Sequence, residues 1–313
     1  MPILVPPTFV EPEQQPGVPW PTRINEMPQV WFTDPAGAVT KFSDWPNGWA
    51  LQPGAKGLDM PVYAFTQDES PGIDGYAIRQ VRAQGREVIL PIAFWADDSR
   101  AAYLNRRRTL IRSLNPKRGD GLLTVIQADG TSRSISARYT AGLEGDESLD
   151  ASGARWCICA LTFACPSPFW LGDTTTIEWR TSVAGTFFPI LPLTVGNSQV
   201  LGAVTVDNDG DDNAYPIWTI TGPATSISLT NVTTGEVLVL SHTITVGDTV
   251  VIDTRERQQT ALLNGVTNLW GDISDASTLW ALEPGSNDLT LTVTGSTSNT
   301  RVRMTYQPRY LAA

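Results

Sequence analysis

The chain has 313 residues, of which 41% are hydrophobic and 17% charged, and its formal net charge is −10. This length suits two domains better than one, and the acidic balance argues against nucleic-acid binding by the protein as a whole. No stretch reaches the roughly 18 apolar residues that a membrane-spanning helix needs, so membrane insertion is not predicted. Three cysteines, an odd and low number, are not a disulfide framework and indicate synthesis in a reducing cytoplasm.

The first 28 residues contain eight prolines. They lack the basic start and the long apolar core of a secretory signal. Proline favours extended polyproline conformations and cannot join the interior of a sheet. We interpret residues 1–28 as an N-terminal arm, which is either a loose tail or a segment lying on a neighbouring subunit.

Residues 29–178 are predicted to form a first, mainly β domain. Short extended runs alternate with Gly and Pro turns such as Asp34-Pro35 and Trp45-Pro46-Asn47-Gly48. This spacing is typical of short antiparallel strands. The longer predicted strands lie at residues 87–95, 122–127, 133–139 and 155–163.

One helix is predicted between the strands at 87–95 and 122–127. Asp97 or Asp98 can cap its first turn, and Asn115-Pro116 ends it because proline cannot continue a helix. Its apolar residues recur at spacings of three, four and seven, which places them on one face. The apolar set is Tyr103, Leu104, Leu110, Ile111 and Leu114, and from it we expect Tyr103, Leu104, Ile111 and Leu114 to face the sheet.

The same helix concentrates positive charge, since residues 79–118 hold 10 Lys and Arg against 3 Asp and Glu. Such a cluster can contact the phosphates of a nucleic acid. Alternatively it is a solvated basic face, or a face that pairs with acids on another subunit. The net charge of the chain and the lack of a known nucleic-acid-binding motif argue against the nucleic-acid interpretation. If the face pairs with another subunit, the candidate assembly interface is Arg106, Arg107, Arg108 and Arg112.

A second domain is predicted after a change in composition near residues 171–192, where basic residues become rare. We place a linker at residues 179–190 and the domain at residues 191–313. Apolar Leu289, Leu291 and Val293 alternate with threonines, and such period-two runs indicate strands with one buried face. Because turn signals recur between these runs and no helix is predicted, the domain is expected to be an antiparallel β-sandwich.

The histidine and cysteines form no recognisable catalytic or metal-binding pattern. The single histidine, His242, lies where a strand would meet a turn, and we interpret it as a surface or hydrogen-bonded residue. Cys157 and Cys159 share one face of a strand, and with Cys165 they lack the spacing of a zinc site. We expect Cys157 and Cys159 to pack as small hydrophobic residues.

The acidic clusters are equally unspecific. The segment 207–213 resembles a calcium loop superficially, but its glycine stands fourth instead of sixth and its twelfth position is Trp218 instead of Glu. Glu144, Asp146 and Glu147 lie in a predicted turn, and their spacing selects no pair for glycoside hydrolysis. The sequence therefore predicts no catalytic residue, no metal and no cofactor.

An ordered series of short motifs extends over about residues 57–311. The series comprises, among others, Pro71-Gly72-Ile73-Asp74-Gly75, Arg86-Glu87-Val88-Ile89-Leu90-Pro91, the helix ending at Leu114-Asn115-Pro116, Gly119-Asp120-Gly121, Cys165-Pro166-Ser167-Pro168-Phe169-Trp170, Ala214-Tyr215-Pro216-Ile217-Trp218, Leu282-Glu283-Pro284-Gly285 and Pro308-Arg309-Tyr310-Leu311. Each motif is weak alone, but in this order the chain resembles phage distal tail proteins, in the form common among phages of actinobacteria. These proteins are β-rich ring components at the end of long-tailed phage tails.

The resemblance implies a mainly β fold, in which residues 29–178 form a ring-forming hub domain, a split barrel with one helix. Residues 191–313 would form a galectin-like antiparallel β-sandwich. It implies a non-enzymatic structural protein of the virion, at the distal end of the tail, where six copies form a ring around a channel for DNA. The implied partners are other copies of the chain, the tail tube protein and the tail-tip hub protein, with the tape measure protein and receptor-binding parts as further candidates.

A second hypothesis is that the C-terminal sandwich binds or hydrolyses host cell-surface glycans. The chain contains 11 tryptophans, and exposed aromatic rings can stack on sugars. A galectin-like fold does not by itself imply sugar binding, because function belongs to sites and not to folds. No sugar site is identified in the sequence.

Overall fold

The computed structural model describes residues 28–69, 72, 74–144, 155–180, 198–200 and 202–313. The N-terminal arm up to residue 27, the linker from residue 181 onward, and Asp146 with Glu147 lie outside the described residues. One α-helix, α1 (Arg100–Ser113), and three short 3-10 helices occur in the described part, and none of them could cross a membrane as a long apolar helix. The 3-10 helices are Trp45–Asn47, Pro116–Arg118 and Trp270–Asp272.

Short strands make up most of the remaining ordered structure. Those of the first half are β1 (Gln29–Thr33), β2 (Val39–Lys41), β3 (Trp49–Leu51), β4 (Tyr63–Asp68), β5 (Ala77–Ala83), β6 (Arg86–Trp95), β7 (Gly121–Ile126), β8 (Ser132–Ala141), β9 (Trp156–Cys165) and β10 (Trp170–Leu171). Those of the second half are β11 (Thr175–Arg180), β12 (Ser198–Val200), β13 (Ala203–Asn208), β14 (Ile217–Thr221), β15 (Ser226–Asn231), β16 (Glu236–Leu240), β17 (Thr249–Asp253), β18 (Thr260–Leu263), β19 (Thr267–Asn268), β20 (Gly285–Thr294), β21 (Arg301–Tyr306) and β22 (Arg309–Tyr310).

The first sheet is a curled half-barrel of nine strands. Its order is β2-β1-β7-β8-β9-β6-β3, and β10 pairs with both β8 and β22 at one side. Strand β6 shows why this sequence forms a half-buried strand, because Val88, Leu90, Ile92 and Phe94 alternate inward while the residues between them are more exposed. Helix α1 contributes to the same core. The hairpin of β4 and β5 forms a separate two-stranded sheet.

The buried face of α1 differs in part from the predicted one. Tyr103, Leu110 and Leu114 are buried in the first core, whereas Ile111 is 48% exposed, so the prediction that Ile111 faces the sheet is wrong. Tyr103, Leu110 and Leu114 lie on one stripe of the helix surface, whereas Ile111 is rotated about 100° around the helix axis from Leu110. The cap is Ser99, not an aspartate, because its Oγ accepts a hydrogen bond from Ala102 N at 3.1 Å.

The second half forms a β-sandwich. One sheet has the order β12-β11-β21-β14-β17-β18-β19 and the other β13-β20-β15-β16; the strand pairs are antiparallel except β11 with β12. Both sheets contribute to one hydrophobic core, at whose centre the rings of Trp179, Trp218 and Trp280 pack against one another. The predicted fold class is confirmed: the chain is mainly β, with one α-helix, a curled half-barrel sheet and further antiparallel sheets.

Two strands, β11 and β22, pair across the predicted domain boundary. Strand β11 pairs with β21, and its Trp179 packs in the second core, so this sandwich includes residues before the predicted break at residue 178. Conversely, β22 comes from the second half but pairs with β10 beside the first sheet. The predicted domain limits stay predictions, and the strand pairing favours Thr175 as the start of the second sandwich.

Residues 309–313, which we call the strap, lie across the first sheet. The backbone N–H of Ala313 donates to Leu58 O at 2.8 Å, and the Arg133 guanidinium donates to Ala312 O at 2.8 Å. Together with the β10–β22 pairing, these hydrogen bonds attach the last described residues of the chain to the first domain.

The strap is also bound to the second sandwich. Asp211 N donates to Arg309 O at 2.8 Å, and the Asp211 carboxylate accepts from Leu311 N at 2.9 Å. The Arg309 guanidinium carbon lies between the halves, 5.3 Å from the centroid of the Tyr215 ring before β14 and 3.9 Å from that of the Phe169 ring before β10, both within the range of a cation–π contact. The strap therefore joins the two cores through hydrogen bonds and aromatic contacts.

Arg86, only 7% exposed, connects three separate parts of the chain beneath the strap. Its Nη1 donates to the carbonyls of Gly57 (3.1 Å) and Asp59 (2.7 Å). Its Nη2 donates to the carbonyls of Pro168 and, at 2.8 Å, Leu311. Burial lowers the pKa of Arg86 from its ordinary value, but a guanidinium stays charged in proteins. The buried charge is stabilised by peptide dipoles.

We predict that Arg86→Ala lowers the free energy of unfolding by about 3–5 kcal/mol, because it leaves buried carbonyls without donors. Arg86→Lys should recover only part of this loss, since an ammonium lacks the planar fork that reaches four carbonyls. The matched control is Arg257→Ala, at an exposed loop position, with an expected change within about 0.5 kcal/mol. Urea denaturation followed by tryptophan fluorescence measures the free energy of unfolding of all three variants. Equal values for Arg86→Ala and Arg257→Ala would contradict the prediction.

Candidate assembly surfaces

Arg106 and Arg107 lie on the inner stripe of α1, between Tyr103 and Leu110, and both are only half exposed. Helical neighbours three and four residues after Tyr103 share its face, so these arginines point toward the sheet. The Arg106 guanidinium carbon lies 5.9 Å from the centroid of the Trp49 ring. A long aliphatic stem allows an arginine to cover apolar surface in this way while its charge stays near water.

Gly48 provides the space that Arg106 occupies. Its φ is +75°, a conformation that L side chains rarely adopt, and a Cβ at this position would collide with Arg106 Nη1 and Trp95 O. Arg106 is therefore part of the packing between α1 and the β3–β6 edge of the sheet.

Arg108 and Arg112 lie on the outer face of α1, four residues apart, and both are exposed. Within the residues that the structure describes, no carboxylate pairs with either guanidinium. The four arginines predicted as one interface thus divide into an inner and an outer pair. Arg108 and Arg112 are the two that a partner can reach, and the assembly role of the set stays a prediction.

Cys157 and Cys159 lie on the inner face of β9, close to Tyr103 and Arg107 of α1. A hydrogen bond from the Cys159 thiol lowers the pKa of Cys157 to about 6, and the Arg107 charge and the Tyr103 hydroxyl act in the same direction against burial. The pKa of Cys159 is raised because it donates to Cys157 and is itself buried. Burial raises the pKa of Cys165 to about 11. The two shifts run in opposite directions, so they favour the thiolate form at Cys157 and the thiol form at Cys159.

The remaining candidate residues are held in local contacts. His242 Nδ1 lies 2.8 Å from the Asp272 carboxylate, which confirms the prediction of a hydrogen-bonded histidine. Both Glu144 oxygens accept from Gly142 N at 3.0 Å, and this hydrogen bond lowers the pKa of Glu144.

The segment 207–213 holds the strap. Besides the Asp211 contacts, the buried Asn208 side chain donates to Asp212 O at 3.1 Å and accepts from Gly210 N at 3.0 Å. In the described part of the chain, no three His, Cys, Asp or Glu side chains come together to hold a metal ion. The loop geometry serves the contact with residues 309–311.

Residues 209–310 match the family model of the C-terminal domain of siphovirus-type tail components. The match covers about the last third of the chain and assigns this part to the siphovirus-type tail components. The chain is thus a structural component of a phage tail and part of the virion, and the matched family is a structural and generally non-enzymatic one. No curated protein is significantly similar to this tail component in sequence.

Two solved phage structures share its fold. The crystal structure of Dit from phage SPP1, described as a paradigm of the hub adsorption apparatus in phages infecting Gram-positive bacteria, has a TM-score of 0.62 at 15% identity and covers 90% of this chain and 99% of its own. A chain of the phage P2 baseplate in its activated conformation with Ca has a TM-score of 0.50 at 12% identity, covering 89% and 98%. At these identities the matches establish the fold alone.

Sequence reasoning missed two exposed apolar surfaces of this tail component. One is the β4–β5 hairpin, and the other lies around Trp45 and Trp156 on the outer face of the first sheet. Alternation in the segment Tyr63–Asp68 was a usable signal for the hairpin. The tryptophan surface had no such signal, because its members come from segments that are far apart in sequence.

We predict that Cys157 is the fastest-reacting thiol of the folded chain. With a pKa of about 6 it is about nine-tenths thiolate at pH 7, so its rate of alkylation by iodoacetamide should rise little from pH 7 to 9. Buried Cys165 is the internal control, and its rate should stay low.

Cys159→Ala removes the hydrogen-bond donor and should shift the pH profile of Cys157 upward. Peptide mass spectrometry after timed labelling measures each site. A tenfold rise per pH unit for Cys157 between pH 7 and 8 in the unaltered protein would contradict the low pKa.

Proposed function

We propose that this tail component forms a homo-hexameric ring that joins the tail tube to the tail-tip or baseplate hub and the host-recognition apparatus. The ring would leave a central channel through which DNA passes. The observation that carries this proposal is the fold shared with SPP1 Dit over nine-tenths of the chain, together with the family match of the C-terminal domain. The partners on the two faces of the ring would be the tail tube protein and the tail-tip hub protein.

A ring also accounts for features that a monomer leaves unexplained. Strands β2 and β3 are the edges of the first sheet, and the hairpin is a sheet of two strands. Unpaired edges attract other strands, so proteins normally cover or pair them. In a ring, neighbouring copies supply this cover.

A channel for DNA restricts the charge of the residues that line it. A basic lining would retain passing phosphates, so the lumen should be neutral or acidic. We therefore propose that Arg108 and Arg112 face a neighbouring subunit or the outer wall. The net charge of −10 agrees with a protein that lets DNA pass without binding it.

The alternative, glycan binding or hydrolysis by the C-terminal sandwich, gains no specific support from the structure. Three of the tryptophans that suggested it, Trp179, Trp218 and Trp280, are core residues. Trp270 is the exposed tryptophan of this sandwich in the described part. Packing in the hydrophobic core is enough to explain these three tryptophans, without sugar binding.

The purified full chain is expected to have the molar mass of six copies in light scattering and to appear as six-fold rings in negative-stain images. The burial of apolar surface that is exposed in the monomer stabilises the ring, and mass action favours the ring at high protein concentration. A chain that remains monomeric both in solution and in disassembled virion tails would contradict the proposal.

Reversing the outer charges should weaken the ring if Arg108 and Arg112 lie in an interface. We expect Arg108→Glu with Arg112→Glu to raise the protein concentration needed for half-assembly at least tenfold, because like charges then meet across the contact. Arg257→Glu, on an exposed loop of the second sandwich, is the matched control. Sedimentation at several concentrations measures the shift, and an unchanged assembly curve for the double variant would remove these residues from the interface.

A further inference from the structure

The β4–β5 hairpin has one apolar face that nothing in the described structure covers. Register pairs Phe65 with Val81 and Gln67 with Ile78, so Phe65, Val81 and Ile78 project from the same face. All three are just over half exposed. An isolated two-stranded hairpin is only marginally stable in water. Its apolar face therefore indicates a missing contact.

A β-bulge produces this face. The register shifts between Thr66 and Gln67, which leaves Arg79 as the extra residue between Ile78 and Gln80. Without the bulge, Ile78 and Val81, three residues apart, would point to opposite sides. The irregularity thus gathers the apolar residues onto one surface.

A second uncovered apolar surface lies on the outer face of the first sheet. Trp95 of β6 and Trp156 of β9 are directly opposite each other, and Ile158 is the next outward residue of β9. Trp45 packs edge-to-face on Trp95, with ring centroids 4.8 Å apart, and is itself 71% exposed. We call Trp45, Trp95, Trp156 and Ile158 the tryptophan patch.

The two surfaces lie at opposite ends of one strand. The hairpin closes at its base where Gln84 N donates to Val62 O, next to Arg86 at the start of β6. The tryptophan patch surrounds Trp95 at the end of β6, nine residues and about 30 Å further on. Within one chain both surfaces stay exposed, so the hairpin does not cover the patch of its own molecule.

We propose that the apolar face of the hairpin docks on the tryptophan patch of the next copy of this chain. The contact joins two different surfaces of identical molecules, so it is head-to-tail, and such contacts generate rings when the rotation closes. The proposal rests on the proposed ring and assigns the residues that close it.

Charge and area agree with a second copy as the occupant. Asp44, Asp97 and Asp98 flank the patch beside one cation, Arg155. On the strands of the hairpin Arg79 is held by Asp68, which leaves Arg82 as the strand charge without a paired carboxylate among the described residues, while Glu69 and Asp74 lie at the tip. Each surface offers on the order of 300–400 Å², the size of patch that marks an interaction site. One contact is smaller than a standard stable interface, so the ring would gain stability by making all its contacts at once.

Two variants of the full chain test the contact. The hairpin variant combines Ile78→Glu with Val81→Glu, and the patch variant combines Trp156→Glu with Ile158→Glu; all four positions are more than half exposed, so folding should persist. The control combines Val246→Glu with Val266→Glu, two exposed positions of the second sandwich. Light scattering should give the control the mass of the unaltered ring and each variant the mass of one chain.

Mixing the two variants gives the decisive result. The hairpin variant retains a working patch, and the patch variant retains a working hairpin, so together they make one contact and then stop. The expected product is a 1:1 heterodimer and nothing larger. Rings retained by either variant would overturn the contact, as would a mixture that remains monomeric at the highest protein concentration that stays in solution, where one small contact can form by mass action. Either result would leave a ring of the unaltered chain intact as evidence for the proposed function.

An unaltered chain that never assembles would instead contradict the ring itself and this contact with it. A reciprocal dimer of the unaltered chain, abolished by both variants, would support the hairpin-to-patch contact and contradict the hexamer. Circular dichroism spectra that match the control establish that a loss of mass is a loss of contact and not of folding.

Discussion

The burial of one charged side chain, Arg86, constrains how the two halves of this chain fit together. A guanidinium taken out of water must keep its hydrogen bonds, and here backbone carbonyls supply them. Those carbonyls belong to the segment before β4, the approach to β10 and the strap. Because the donors of one arginine form a rigid fork, these three segments are held at fixed positions. The relative placement of the two cores depends on this arrangement.

Strand pairing also holds the two halves together. Strand β22 follows the second sandwich in the chain but pairs with β10 beside the first sheet, so the second half completes a sheet of the first. Arg309 adds to the joint, since it lies over Phe169 and also reaches Asn213 O at 3.2 Å. In the proposed ring, such a joint would keep the two halves of each copy together when load passes between them.

Local sequence patterns predicted the positions of helix and strands well. Features that depend on contacts between distant segments were not predicted. The helix and the strands near residues 122–127 and 156–165 were placed to within about two residues, because alternation and helix caps depend on neighbouring residues. Ile111 was assigned to the buried face because spacings of three, four and seven residues do not distinguish a residue on the buried stripe of the helix from one beside it. The division of the arginines was missed because a charged residue on the inner stripe looks solvated in sequence. Arg86 and the tryptophan patch depend on segments far apart in the chain, which no local pattern reports.

The exposed hairpin also creates a hazard for the free chain. An uncovered apolar β-surface with open strand edges can pair with unrelated strands and lead to aggregation. The bulge at Arg79 interrupts the regular ladder, and the charge of Arg82 opposes stacking of one hairpin on another. Arg79 forms an ion pair with Asp68 on the same hairpin, which fixes its side chain where the ladder is broken. The features that shape the hairpin thus also help to keep newly made subunits soluble during the interval before assembly.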